Sequence, residues 1–180
     1  MNVRLVALAL TVLALGGCQP AGETAPPQPD YSAPASDSVV PGDVAADLAE
    51  AAVREYFAVS AAIAAAGGED TSAIDNVVST AWRNEELAGF EAIREMGVTP
   101  EGAPSLVKIE VTAMAGVTAV GEAIVHVCTS TDGVAVIDND GIALPVEPEV
   151  HHLTVFVVAH NDRFVVDGVE VVEDTSWCAE

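Results

Sequence analysis

Lysine occurs once in this 180-residue chain, at Lys108, and only 6 basic residues stand against 28 acidic ones. A net charge of −22 repels phosphate backbones and excludes nucleic acid from the expected partners. It also excludes adhesion to anionic lipid by charge alone. No apolar run reaches the roughly 20 residues that a membrane-spanning helix requires. The chain has no Gly-x-Ser-x-Gly elbow, no phosphate-binding loop and no dinucleotide fingerprint, so motif-based grounds for a hydrolase, a nucleotidase or a dehydrogenase are missing. Its three cysteines have no zinc-binding spacing. No cofactor is expected, and no residue is nominated as catalytic.

What the chain does carry begins behind Arg4. Leu5–Leu15 is apolar apart from Thr11, which is a signal-peptide core in length. Leu15-Gly16-Gly17-Cys18 closes that run and resembles the lipobox of bacterial lipoproteins. The resemblance implies cleavage between Gly17 and Cys18 and a diacylglyceryl group on the Cys18 sulfur. It also implies attachment to the extracytoplasmic face of a bacterial cell membrane. Each buried methylene of such chains contributes roughly 0.8 kcal/mol, so two or three chains anchor stably where one does not. Cleavage removes Arg4 and no acid. The mature domain is then one unit more negative, which keeps it soluble and standing off the surface. The Ala and Val bias suits a high-GC genome such as that of an actinobacterium.

Residues 18–42 differ in composition. Pro20, Pro26, Pro27, Pro29, Pro34 and Pro41 lie among Ala, Ser, Gly and acids, with too little apolar surface to offset ordering entropy. This segment is expected to be a disordered tether, reaching at most roughly 75 Å at about 3.1 Å per residue. Residues 43–180 are enough chain for one domain with its own core.

Within 43–180, Asp43 can cap a helix in which Val44, Leu48, Ala52, Tyr56, Val59 and Ile63 form an apolar stripe, widened by Val53 and Phe57 and stopped at Gly67-Gly68. Ser72 and Asp75 predict a short second helix through Val77-Val78. Asn84 predicts a third, with Leu87, Phe90 and Ile93 inward and Gly97 as its stop. Pro100 and Pro104 bound a loop. Five Val/Ile-rich segments follow: 106–114, 118–128, 134–144, 150–160 and 164–172. Turn residues separate them, and Asn139-Asp140-Gly141 makes the third segment a candidate hairpin of its own. In the first segment Val107, Ile109, Val111 and Ala113 alternate with polar residues, as in an antiparallel sheet covered on one side. Helices followed by a run of strands predict an α+β fold, with N-terminal helices packed on a curved antiparallel sheet of four to five strands.

The order of these elements, with Tyr56-Phe57, Ala81–Leu87, Ala123–Cys128, Asp138–Gly141 and Trp177-Cys178, resembles the nuclear-transport-factor-2-like (cystatin-like, SnoaL-like) superfamily and its small lipid-anchored actinobacterial members. That resemblance implies a cone with the long helix across the concave sheet face and an apolar pocket between them. It also implies, as one alternative, chemistry of the ketosteroid-isomerase or polyketide-cyclase kind, for which Tyr56, His126, Asp138 and His152 are the pocket candidates. Fold likeness alone supplies no reaction. Tyr56 lies on the helix stripe and reads as core ahead of a site residue.

With Cys18 assigned to lipid, Cys128 and Cys178 form an even pair in an exported domain, which predicts a disulfide rather than two separate buried thiols. Closing a loop of that size contributes roughly 4 kcal/mol and is expected to pin the final strand against the second. The histidines argue against a metal. His151 and His152 point to opposite faces of a strand, and His160 lies about 27 Å further along it. Asp138-Asn139-Asp140-Gly141 has the opening of a calcium loop but lacks its remaining ligands, so a hairpin turn is expected. The sequence thus reads as a lipid-anchored, non-catalytic binding module, with an envelope protein or cell-wall component as partner. The alternatives are a carrier of a small apolar ligand and the isomerase- or cyclase-like enzyme.

Overall fold

The computed structural model describes residues 42–115, 121–144, 146–161 and 163–179. The leader, the Gly17–Cys18 junction and the proline-rich tether lie outside the described residues. Among the described residues the domain is α+β, with two α-helices and two antiparallel sheets. Helix α1 spans Gly42–Ala65 and α2 spans Arg83–Met96, with a 3-10 turn at Ser72–Asn76 between them. The strands are β1 (Val98–Glu101), β2 (Ser105–Ala115), β3 (Glu122–Ser130), β4 (Ala135–Asp138), β5 (Ala143–Leu144), β6 (Val150–His160) and β7 (Arg163–Val172). A second 3-10 turn, Ser176–Ala179, follows β7. The main sheet has the order β2-β3-β6-β7 and the small one β1-β4-β5, and neither closes on itself.

Alternation along the main sheet decides its two faces. Val125 and Val127 on β3, Val155 and Val157 on β6, and Val166 on β7 are buried against the helices. Ile109 and Val111 of β2 are partly buried against the same cluster. Helix α1 contacts all four strands of this sheet and contributes Ala49, Ala52, Val53, Tyr56 and Ile63 to the core. Those positions recur at the three- and four-residue steps of one helical face. The predicted stripe is corrected at its start, because Val44 and Leu48 are 44% and 49% exposed. The buried row runs through Ala49 and Val53, one position round the helix.

Three other expectations change. The second helix is a five-residue 3-10 turn, because Val77–Ser79 pairs with the sheet instead. Val166 N–H donates to the Val77 carbonyl at 2.9 Å, and Ser79 N–H donates to the Val166 carbonyl at 2.8 Å. Helix α2 starts at Arg83, so Asn84 lies inside it and caps nothing. The loop expected around Pro100 opens with strand β1, paired to β4 from Val98↔Asp138 to Glu101↔Ala135. β1 is an edge strand, where a proline's missing N–H is tolerated. The third segment is the separate hairpin β4–β5.

Both helix stops hold. Gly97 is left-handed, with φ 62. Gly68 has φ +75, and a Cβ there would meet the Phe90 carbonyl oxygen at 2.5 Å. Arg94 Nη1 donates to the Gly68 carbonyl at 3.1 Å, so this junction ties α1 to α2. Gly68→Ala is expected to lose about 1–3 kcal/mol from backbone strain, read as a lower urea midpoint with an unchanged slope. An unchanged midpoint would show that the junction yields freely.

Candidate functional site

The sheet face turned away from the helices carries Ile124, His126 and Cys128 on β3, and His152 and Thr154 on β6. Cys128 pairs in register with His152, and His126 pairs with Thr154. β2 brings Lys108 opposite Cys128 and Glu110 opposite His126. The disulfide Cys128–Cys178 joins this face to the C-terminal 3-10 turn, with the two Cα atoms 5.6 Å apart. The pairing is as predicted, but its mechanical consequence is corrected. It staples the turn after β7 onto β3, while β7 itself pairs with β6.

The staple assembles a compact cluster. His126 Nδ1 and His152 Nε2 are 2.8 Å apart. His152 Nδ1 lies 2.8 Å from the Asp174 carbonyl oxygen. A carbonyl only accepts, so His152 Nδ1 carries a proton and donates it there. In the neutral pair, His152 Nε2 is therefore bare and accepts from His126 Nδ1–H. Trp177 stacks on His152 with ring centroids 5.0 Å apart and meets the His126 ring edge-on at 5.8 Å. The chain's single lysine completes the cluster. Lys108 Nζ lies 4.1 Å from the Trp177 ring centroid and donates to the Trp177 carbonyl at 3.1 Å. Asp174 Oδ1 accepts from Ser176 N–H at 2.9 Å. That bond holds its carboxyl below the ordinary carboxylate range, with the charge on His152 a smaller contributor.

The four nominated pocket residues do not share one pocket. His126 and His152 meet. Tyr56 lies on the other side of the sheet, where its hydroxyl donates to Glu86 Oε1 at 2.7 Å, an oxygen that also accepts from Trp82 Nε1 at 3.0 Å. Asp138 forms the β4–β5 turn, its Oδ1 accepting from Asp140 N–H at 3.0 Å and Ile142 N–H at 2.8 Å. It is a turn residue, as the hairpin reading expected. A cleft of about 510 Å³ is lined in part by Trp82, Glu122, Ile124, Phe156, Asp167 and Glu170, and by none of the four. Its wall mixes apolar groups with carboxylates.

Sequence reasoning missed the histidine pair, and Trp177 and Lys108 with it. It compared histidines along one strand, whereas this contact crosses from β3 to β6. The signal was present in the predicted disulfide. Carried one residue further, it places Trp177 beside the β3 residue two before Cys128, which is His126.

No protein-family model matches the chain, and no curated protein is similar enough to show kinship. The fold does have a counterpart among solved structures. The crystal structure of the intermembrane space region of chloroplast protein ARC6 is similar over 72% of this chain and 97% of that one, with a TM-score of 0.56 and 10% identity. At that identity the likeness concerns the fold alone.

Proposed function

We propose that the protein is a lipid-anchored extracytoplasmic interaction module, held to the membrane through Cys18 and binding an envelope protein or cell-wall component without catalysis. The observation that carries this reading is the Cys128–Cys178 disulfide. Such bonds persist in oxidising compartments outside the cytoplasm, where the Leu15–Cys18 motif would also deliver the chain. The packing supports it further: the helix-facing side of the main sheet is filled by Val, Ile and Ala side chains. The order of helices and strands, with α1 across a four-stranded antiparallel sheet, supports placing the domain in the nuclear-transport-factor-2-like superfamily.

Cys18→Ala is expected to move the protein from the membrane pellet to the soluble fraction after signal cleavage. The domain's fold should be unchanged, because the substitution lies outside residues 42–179. Fractionation followed by immunoblotting checks it, with palmitate labelling of the wild type as the second readout. A Cys18→Ala protein that still sediments with membranes, or a wild type that takes up no label, sinks the reading.

A further inference from the structure

We infer that the cleft beside β7 takes an extended, basic segment of a partner polypeptide, with an apolar side chain on the cleft floor and a Lys or Arg to either side of it. The inference rests on the interaction-module reading and names the chemistry of its partner.

Register makes the floor. Ile124, Phe156 and Gly168 form one row across β3, β6 and β7, on the sheet face turned away from the helices. Gly168 leaves the last place in that row without a side chain, and a Cβ there would already touch the Phe156 ring at 3.4 Å. Trp82 also lines the space. Its backbone N–H donates to Ser79 Oγ at 3.1 Å, and Ser79 N–H is bonded in turn to the Val166 carbonyl on β7. The cleft of about 510 Å³ has the size of ligand sites, which run from about 300 to 1,000 Å³. Its two aromatic rings accept apolar groups and, over a ring face, a cation.

The rim is acidic. Glu122, Asp167 and Glu170 line the cleft, and among the described residues no basic one does. Among the described residues these three carboxylates also take part in no ion pair. Arg54 and Arg83 are held by Glu50 and Asp75, Arg94 by the Gly68 carbonyl and Lys108 by Trp177. A guest must therefore bring its own positive charge. Glu122 and Glu170 flank the apolar row on opposite sides, since Glu122 is opposite Val158 and Glu170 is opposite Thr154 of β6. At about 3.4 Å per residue and about 4.8 Å per strand they stand about 17 Å apart. One ammonium group cannot serve both. A divalent ion is no better suited, because no three His, Cys, Asp or Glu side chains converge as metal ligands among the described residues. An extended segment matches the pattern. Its residues i, i+2 and i+4 share one face and span about 14 Å, and long basic side chains reach the remainder. The outer two meet the carboxylates while an apolar i+2 side chain meets Ile124 and Phe156. A free polyamine has no such side chain for the floor.

The test uses the full chain in mild non-ionic detergent and end-blocked, dye-labelled pentapeptides, read by fluorescence anisotropy. Lys-Ser-Val-Ser-Lys should bind one to one, and more weakly as salt is raised. Glu-Ser-Val-Ser-Glu should not bind. Gly168→Leu fills the floor and should weaken binding by about 10-fold or more, as a steric mismatch in an apolar pocket does. Glu122→Gln and Glu170→Gln should each weaken it by about 2–5-fold, the range of an exposed ion pair. Glu55→Gln and Glu95→Gln, exposed on α1 and α2, remove the same charge elsewhere and should leave the affinity unchanged. The glutamine variants keep the test open if Gly168→Leu fails to fold. Equal binding of the two peptides, unchanged affinity in a folded Gly168→Leu chain, helix variants that lose as much as cleft variants, or spermidine displacing the label at lower concentration than unlabelled peptide would each overturn the proposal. A chain anchored through Cys18 that ignores the lysine peptide fails here alone, whereas a chain that binds it without being anchored fails the membrane reading alone.

Discussion

Replacing Cys128 and Cys178 together by alanine is expected to lower the unfolding free energy by about 4 kcal/mol, within a range of about 2–5. The bond closes a loop with a sequence separation of 50, and most of its effect in the chain-entropy view acts on the unfolded ensemble. Domains of this kind hold only about 5–15 kcal/mol in total, so the melting temperature should fall by about 10–25 °C. Alanine is the right replacement because Cys128 is fully buried, and a serine hydroxyl there would add its own desolvation penalty. A local effect should accompany the global one. The turn Ser176–Ala179 is held by the staple, by Trp177 stacking and by the Lys108–Trp177 hydrogen bond, and without the first the other two are weak. Trp177 emission should shift toward that of an exposed indole while the far-ultraviolet spectrum stays native, measured in a Trp82→Phe background. Urea unfolding of the double variant against the oxidised wild type checks the larger number. Free energies agreeing within about 0.5 kcal/mol, the scatter of ordinary surface changes, would mean that the bond restrains little.

How far the sequence reaches is visible in particular residues. Gly97 and Gly68 announced helix ends because left-handed backbone has few alternatives to glycine, and both occupy that region. Asp138–Gly141 announced a hairpin because an Asp side chain can accept its own turn's N–H groups, as it does here. Pro100 misled because proline argues against a strand unless the strand lies at an edge, and edge position is a tertiary fact. Val77-Val78 misled because their outcome depended on the free edge of β7, about ninety residues away in sequence. The candidate site was legible only in pieces. Periodicity gave the face of each histidine, but the distance between His126 and His152 depends on the β3–β6 register, which the intervening β4–β5 hairpin hides. The cysteine pairing was the one long-range contact available before folding, and it leads to the same cluster.

Tyr56→Phe is expected to destabilise the domain by about 1.5–3 kcal/mol near neutral pH, the usual range for a hydrogen bond to a charged group. The ring itself should stay, packed edge-on to Phe57 at 5.2 Å, while Glu86 keeps only the Trp82 indole as donor. Glu86 thereby joins α2 to the middle of α1, and the loss should be cooperative with the rest of the fold. The pH dependence separates this latch from a catalytic tyrosine. Burial raises the Tyr56 pKa above its ordinary value, and the charge of Glu86 and the hydrogen bond to it push it the same way. The folded state therefore holds the neutral phenol while the unfolded chain ionises near pH 10. The stability from this group is complete below that pH and is lost as pH rises above it, at up to about 1.4 kcal/mol per pH unit. Wild type and Tyr56→Phe should differ most near neutrality and converge in alkali, followed by urea unfolding across pH with phenolate absorbance recorded alongside. Parallel curves through the alkaline range would remove the buried phenol from the account. A tyrosine working as a general base needs the opposite tuning, toward the working pH and with access to a substrate proton. The same measurement therefore bears on whether Tyr56 belongs to a reaction or to the packing of two helices.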